Sequence, residues 1–331
     1  MAAARSPLVG YAALFLGIAL LPALGVYPIF VMKVLCYALF ACAFNLLIGF
    51  TGLLSFGHAA FLGVAAYACG HALKVWGFPT PLGLLFGTAA AALAGAAFGW
   101  LAIRRSGIYF SMITLALSQM LYFVFLQAPF TGGEDGLQSV PRGHFLGLDL
   151  GTDLVLYYVV LGIFMAAFWL IYRTVHSPFG QVLTSIRENE ARATSLGYDV
   201  ERFKLVAFVL SAALAGLAGA TKTLVLGFAT LTDAVWTTSG AVILMTLVGG
   251  MGTMVGPIVG ALVIVTLENK IGDVGRWLAD TTGVGWFNGL GESVTLVTGL
   301  IFIVCVLAFR RGLVGELMHL LERRRREPGQ R

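Results

Sequence analysis

Residues 28–49 of the chain read PIFVMKVLCYALFACAFNLLIG, with a single charged side chain, Lys33. An α-helix rises about 1.5 Å per residue, so this stretch is long enough to cross the roughly 30 Å hydrocarbon core of a bilayer. It therefore predicts a membrane-spanning helix, and it decides the fold class.

The composition of the whole chain agrees with this prediction. Of 331 residues, 59% are hydrophobic and 11% are charged, whereas an average soluble domain carries about 25% charged residues. A soluble protein of this composition would lack the polar surface that it needs. The first apolar run, from Leu8 to about Val26, has no clear cleavage site and is interpreted as a retained first helix.

Apolar runs separated by polar breaks predict eight crossings in all. Besides 28–49 they lie near residues 8–26, 52–73, 82–103, 107–128, 153–173, 204–228 and 291–309. A further apolar stretch, 239–267, is interrupted at 249–257 by the sequence GGMGTMVGP, which disfavours a continuous helix. We therefore expect an all-α integral membrane bundle of about eight crossings, with a broken or re-entrant hairpin at 239–267.

Small side chains within the predicted spans indicate close helix packing. They recur four residues apart in two spans: Ala91, Gly95 and Gly99 in one, and Ser211, Ala215 and Gly219 in the other. The cysteines Cys36, Cys42, Cys69 and Cys305 also fall inside apolar segments. They are interpreted as packing residues rather than as disulfide partners or metal ligands.

Basic residues indicate which side of the membrane a loop faces, because short cytoplasmic loops collect Lys and Arg. Arg104 and Arg105, the segment from Arg173 to Lys204 and the basic tail 310–331 are therefore assigned to the cytoplasm. Both termini then lie in the cytoplasm, which requires an even number of crossings. The hairpin at 239–267 is accordingly expected to enter and return as two short helices.

A helix signal occupies residues 177–197 of the longest predicted cytoplasmic loop. Ser177 suits an N-cap with Pro178 behind it, Gly197 suits the position after the last turn, and a kink is allowed at Gly180. One apolar face is predicted from three- and four-residue steps: Phe179, Val182, Leu183, Ile186, Ala193 and Leu196. Periodicity alone leaves two interpretations open, an interfacial helix on lipid headgroups and a docking helix for a soluble partner.

This loop also carries a resemblance. It is similar to the coupling-helix loop of ABC importer permeases at Gly180, Ile186, Arg187, Glu188, Asn189, Glu190, Leu196 and Gly197. Further segments resemble the same family in the same order, at 45–61, 131–137, 202–208, 248–257 and 309–313. The chain thus resembles the branched-chain amino-acid permeases and their urea and amide relatives. The resemblance implies one type II-like permease domain over 1–331, with 177–197 as its coupling helix.

The resemblance also implies an importer assembly in a bacterial inner membrane. The expected partners are a homologous second permease, ABC ATPase subunits docked on 177–197, and a periplasmic binding protein that delivers a branched-chain or related amino acid. The chain has no Gly-Lys dipeptide and hence no phosphate-binding P-loop, so ATP is expected to bind on the partners. Urea or a short amide is the alternative cargo.

Other classes of function are less well supported. No constellation of residues suits catalysis, a metal or an organic cofactor, so we do not expect an enzyme. Membrane topology explains the formal charge of +5 without a nucleic-acid partner. A self-sufficient channel stays open as an alternative, but it gives no reason for the capped amphipathic helix at 177–197.

Two glycine-interrupted regions, 49–63 and 249–260, lie in opposite halves of the chain. Paired broken segments line the pathway of inverted-repeat transporters, and tight packing through small residues is an equally good explanation. On the first interpretation, the candidate pathway residues are Asn45, Thr51, Ser55, His58, Gly249, Gly250 and Thr253. Lys33 and Lys222 are placed near helix ends and are expected to reach the membrane interface.

Overall fold

The computed structural model describes residues 7–145 and 147–282, together with 299, 300, 303 and 312–316. The predicted span 291–309 and the basic tail 310–331 therefore lie almost entirely outside the described residues. The predicted position of both termini in the cytoplasm falls outside them as well.

Eleven α-helices follow one another along the described residues. They are α1 Pro7–Leu20, α2 Pro28–Thr51, α3 Ala59–Lys74, α4 Thr80–Ala102, α5 Ile108–Gln127, α6 Asp153–Val175, α7 Pro178–Glu188, α8 Glu190–Ser195, α9 Val200–Leu226, α10 Trp236–Gly249 and α11 Gly256–Thr282. A two-stranded antiparallel hairpin, β1 His144–Phe145 and β2 Leu148–Asp149, lies between α5 and α6. Short 3-10 turns occupy Leu21–Leu24, Pro129–Thr131, Gly133–Asp135 and Leu231–Asp233.

The chain is an all-α membrane protein, as its apolar runs predict. Among the described residues, five helices are long and apolar enough to cross a bilayer, namely α2, α4, α5, α6 and α9. The helix α3 has 16 residues and α10 has 14, so both are shorter than a full span. The prediction of eight crossings therefore stays a prediction.

Helix α2 forms the centre of the bundle. It packs against α6, α9, α10 and α11, and its side chains from Ala38 to Leu47 are buried. The helices α4 and α5 lie further out and expose apolar side chains, for example Leu93 and Phe123, which are 72% and 56% exposed. In a membrane protein such side chains face lipid or another subunit rather than water.

The predicted stripe of small residues in α4 packs closely against α9, whereas Gly219 of the predicted α9 stripe packs against Leu62 of α3. A Cβ added to Gly95 of α4 would lie 2.4 Å from the Cβ of Ala212 in α9, and one added to Gly216 would lie 2.3 Å from the Cβ of Ala91. Neither glycine can therefore gain a side chain without separating α4 from α9.

The predicted span 52–73 begins later than expected, at Ala59. Gly52 ends α2 with a φ of 78°, a left-handed conformation that favours glycine. The chain then returns into the bundle, because the ring of His58 lies 5.8 Å from that of Phe40 and 5.4 Å from that of Phe44. At 1.5 Å per residue, those two phenylalanines lie about 10–17 Å back from the end of α2. Residues 52–58 therefore form a re-entrant segment that leads from the end of α2 back into the bundle.

The region 239–267 is a broken hairpin, as predicted, but its second arm is longer than expected. The break covers residues 250–255, and α11 continues to Thr282, so the polar stretch after Ile271 is helical up to that point. The part beyond the predicted span carries a charge cluster in which Lys270 and Arg276 bind Asp273 at 3.2 and 2.7 Å. These hydrogen bonds lower the pKa of the exposed Asp273 carboxyl, because they favour its charged form.

Candidate functional site

The segment predicted as one helix at 177–197 is two helices, α7 and α8, separated at Asn189. Ser177 caps α7, as predicted, by accepting a hydrogen bond from the Gly180 amide at 3.4 Å. Asn189 has extended backbone and caps α8 by accepting from the Arg192 amide at 2.9 Å. The single-helix prediction is therefore wrong, because an asparagine at this position competes for the amides of the next turn.

Gly180 lies in the first turn of α7 and allows a close approach to α6. A Cβ added there would lie 2.1 Å from the carbonyl oxygen of Val175 and 2.6 Å from that of Thr174. The glycine therefore lets α7 begin directly against the end of α6. Gly197 follows α8 with a φ of 89°, which fits its predicted place after the last turn.

The apolar face of α7 and α8 is only partly as predicted. Leu183, Ile186 and Ala193 are buried, and Ile186 and Ala193 pack with Val200 at the start of α9. Leu196, by contrast, is 70% exposed. It lies beyond the end of α8, so the helical period no longer directs it towards the bundle.

Arg187 connects α7 to both glycine-interrupted regions. Its guanidinium donates a hydrogen bond to the Gly49 carbonyl in α2, and a Cβ added to Gly252 would lie 3.5 Å from its Nη1 atom. The stem of the side chain also covers Gly52, where an added Cβ would lie 2.9 Å from Arg187 Cγ. A predicted coupling residue therefore contacts the end of α2 and lies beside the hairpin break.

Asn45 joins the same two regions from inside α2. Its side-chain amide donates to the Thr253 carbonyl at 2.9 Å and its amide oxygen accepts from the Gly252 N–H at 2.9 Å. The Thr253 hydroxyl accepts from the Gly256 amide at 3.1 Å, at the start of α11, and donates to the Gly250 carbonyl at 2.7 Å. The broken segments of the two halves of the chain thus meet at Asn45.

The two arms of the hairpin touch through glycines. A Cβ added to Gly249 would lie 1.8 Å from the Gly256 carbonyl oxygen. Gly250 has a φ of 122°, which is accessible to glycine and strained for other residues. The predicted residues Gly249, Gly250 and Thr253 therefore shape the hairpin break.

Glu190 forms an ion pair with the membrane-spanning helix α9, a contact that the sequence does not indicate. Its carboxylate lies 2.7 Å from Lys204 Nζ, and the Lys204 side chain is 7% exposed, whereas that of Glu190 is 51% exposed. Glu190 therefore compensates a buried cation in the second turn of α9. Its neighbour Glu188 ends α7 as an exposed residue.

The other pathway candidates lie deeper in the bundle. The hydroxyl of Thr51 donates to the Leu46 carbonyl of its own helix at 3.2 Å. The Ser55 hydroxyl is fully buried and has no hydrogen-bond partner among the described residues. The imidazole of His58 lies 3.1 Å from the Ser211 hydroxyl, which itself donates to the Ala43 carbonyl at 2.6 Å. Ser55 and His58 are therefore not part of the Arg187 contacts.

Lys222 belongs to a buried ion pair. The ammonium of Lys222 contacts the carboxylate of Asp233, and their side chains are 8% and 3% exposed. The same ammonium lies 5.6 Å from the centre of the Tyr37 ring. The Lys222 ammonium is buried in this pair, because Asp233 folds back from the turn after α9. The sequence did contain a signal for this pair: Lys222 is an isolated lysine in an apolar run, and a charged side chain in such a run usually pairs with an opposite charge.

Comparisons with known proteins place the chain among permeases. The profile of the family described as "Branched-chain amino acid transport system / permease component" matches residues 28–308. The "High-affinity branched-chain amino acid transport system permease protein LivM" of Escherichia coli (strain K12) is 27% identical over 270 residues, which are 73% of this chain and 62% of that relative. The "Ribose import permease protein RbsC" of Bacillus subtilis (strain 168) is 32% identical over 190 residues, or 54% of this chain and 51% of the relative.

The chain thus spans less than two thirds of the length of these relatives. A solved structure, "PsaBC from Streptococcus pneumoniae in complex with Fab", aligns with 84% of this chain and 91% of its own at 13% identity, with a TM-score of 0.39. At that score the likeness says nothing further about the fold.

Proposed function

We propose, from the premise that this chain belongs to the permease family of branched-chain amino acid transport systems, that it is the membrane-spanning subunit of an ATP-driven importer. Membership in the family rests on the profile match over residues 28–308. The proposed cargo is a branched-chain or related amino acid, delivered by a periplasmic binding protein. The family is described as a component of a transport system, which favours this function over a self-sufficient channel.

The assembly has further members under this proposal. ATP is bound and hydrolysed by separate ATPase subunits, which dock on the exposed side of α7 and α8. A homologous second permease completes the pathway across a bacterial inner membrane. The end of the bundle that carries α7 and α8 then faces the cytoplasm, together with both termini.

One observation supports the coupling role of α7 above the others: Arg187 binds the Gly49 carbonyl and lies beside Gly252. Asn45 joins the same stretch of α2 to the hairpin break. A displacement of α7 by an ATPase therefore reaches α2 and the hairpin together, instead of being absorbed by a flexible loop. Rigid-body movement of packed elements is the usual form of such transitions.

The test is to replace Arg187 by alanine and to measure solute uptake and ATP hydrolysis in the same membranes. Losing a hydrogen bond to a charged group costs about 1.5–3 kcal/mol, so uptake per ATP hydrolysed should fall roughly ten-fold or more at 1.4 kcal/mol per factor of ten. The matched control is Arg173→Ala, because Arg173 is an exposed arginine near the end of α6. Unchanged uptake per ATP in Arg187→Ala would exclude the coupling role.

A further inference from the structure

A cavity of about 470 Å³ opens beside the re-entrant segment 52–58. Its walls come from the re-entrant segment, the first two turns of α5 and the first residue of α10. The side chains that matter for its chemistry are Leu53, Phe56, Phe110, Met112, Leu115 and Trp236. Cavities of this volume with largely apolar walls are typical of small-molecule sites.

The cavity offers a largely apolar surface, in which the indole N–H of Trp236 is a side-chain donor. Its one hydroxyl, that of Ser111, donates to the Leu54 carbonyl at 2.6 Å. This bond also fixes α5 to the re-entrant segment, so two walls of the cavity are held together. The walls are therefore suited to an aliphatic group and unsuited to a sugar or another polyhydroxylated solute.

Lipid alone is a poor occupant of this cavity. Residues 52–55 have no regular structure, and the segment that they begin leads from the end of α2 back to His58, beside Phe44. Irregular backbone within the hydrocarbon region is tolerated where it is covered by protein or lines a solvated path, and not where it faces lipid tails. Trp236 lines the cavity and is 51% exposed, so its ring is free to contact an aliphatic group.

We propose that this cavity receives the branched aliphatic side chain of the transported amino acid. The inference rests on the proposed function and adds to it a place in the fold where the side chain of the solute is distinguished. Met112 and Trp236 then determine how large a side chain is accepted, because both are exposed at the cavity.

The first experiment fills the cavity with Met112→Trp and measures uptake of leucine and alanine by the complete transporter in membrane vesicles. Leucine uptake should fall roughly ten-fold or more relative to alanine, because pockets discriminate by about 10–200-fold per methylene group when size is the criterion. The control is Leu93→Trp, since Leu93 is equally apolar, is 72% exposed and is not part of the cavity. It should leave the ratio of leucine to alanine uptake as in the parent.

The second experiment does not depend on transport. Met112→Cys and Leu93→Cys are labelled with N-ethylmaleimide in the same vesicles, with and without leucine. At ten times the dissociation constant, mass action leaves about one site in eleven free, so labelling of Met112→Cys should slow roughly ten-fold. Labelling of Leu93→Cys should not change.

The outcomes separate this inference from the proposed function. A parent transporter that takes up leucine, with a Met112→Trp variant of unchanged selectivity and no protection of Met112→Cys by leucine, would overturn the inference alone. That result would leave a lipid or the second permease as occupant of the cavity. A parent that does not take up branched-chain amino acids would overturn the proposed function itself.

Discussion

Asn45 and Thr253 are 208 positions apart in the chain, and the side-chain amide of Asn45 donates a hydrogen bond of 2.9 Å to the carbonyl of Thr253. The other end of the same amide accepts from the Gly252 N–H. The Thr253 carbonyl and the Gly252 N–H belong to non-helical backbone. Neither group can therefore find its hydrogen-bond partner within a helix. One side chain of α2 therefore completes the hydrogen bonding of the break in the other half of the chain.

Replacing Asn45 by alanine should destabilise the protein by about 1–3 kcal/mol, because it leaves the Gly252 N–H and the Thr253 carbonyl without their partner. Thermal unfolding in detergent measures the effect. Thr88→Val is the matched control, since the Thr88 hydroxyl bonds only to the Leu84 carbonyl of its own helix at 2.8 Å. Equal midpoints for the two variants would contradict a special role of Asn45.

Glu190→Lys should impair both stability and transport. The change replaces the carboxylate that lies 2.7 Å from Lys204 Nζ by a second cation and leaves a buried ammonium unpaired. Since Glu190 is half exposed, solvent screening limits the loss to roughly 1 kcal/mol. Uptake at the parental level would contradict the prediction.

The reversed pair, Glu190→Lys with Lys204→Glu, separates the two effects. It should recover the unfolding temperature, because opposite charges again meet. Uptake should stay low, because the surface that α8 presents to an ATPase still carries the wrong charge. Recovery of uptake together with stability would show that Glu190 serves the span alone.

The pair of Lys222 and Asp233 should behave as a unit. Lys222→Met or Asp233→Asn alone leaves one charge buried without a partner, which typically costs about 3–5 kcal/mol. The double variant should recover much of that loss, because an apolar or neutral pair avoids the desolvation penalty of both ions. Unfolding temperatures of the four proteins measure the coupling. Additive losses would show that the two side chains act independently.

Gly180→Ala should disturb the junction of α6 and α7, because its Cβ would lie 2.1 Å from the Val175 carbonyl oxygen. We expect a loss of about 1–3 kcal/mol, as for other overpacked sites. Gly162→Ala in α6 is the control, since an added Cβ there meets nothing within 4 Å. That variant should be neutral or more stable by up to about 1 kcal/mol. Similar unfolding temperatures for the two variants would show that α7 can move away from α6 without loss of stability.

Several features of the fold were determined by the sequence alone. Apolar runs predicted the long helices α2, α4, α5, α6 and α9, because a bilayer requires apolar side chains and internally paired backbone along a whole span. Ser177 and Gly197 predicted the ends of the α7–α8 segment, since capping depends on residues within one turn. Asn189 carried a signal of the same kind, an N-cap preference, and shows that the break between α7 and α8 was also within reach of the sequence.

Tertiary structure decided which of these local features meet. The contact between Arg187 and Gly49 joins residues 138 positions apart, and Asn45 reaches across more than 200 positions to the hairpin. The burial of Lys222 depends on Asp233 folding back from the following turn. These residues form hydrogen bonds and ion pairs with partners that the hydrophobic pattern of the sequence does not indicate. Their energies depend on the distance and burial that helix packing imposes, and only the packed bundle sets those quantities.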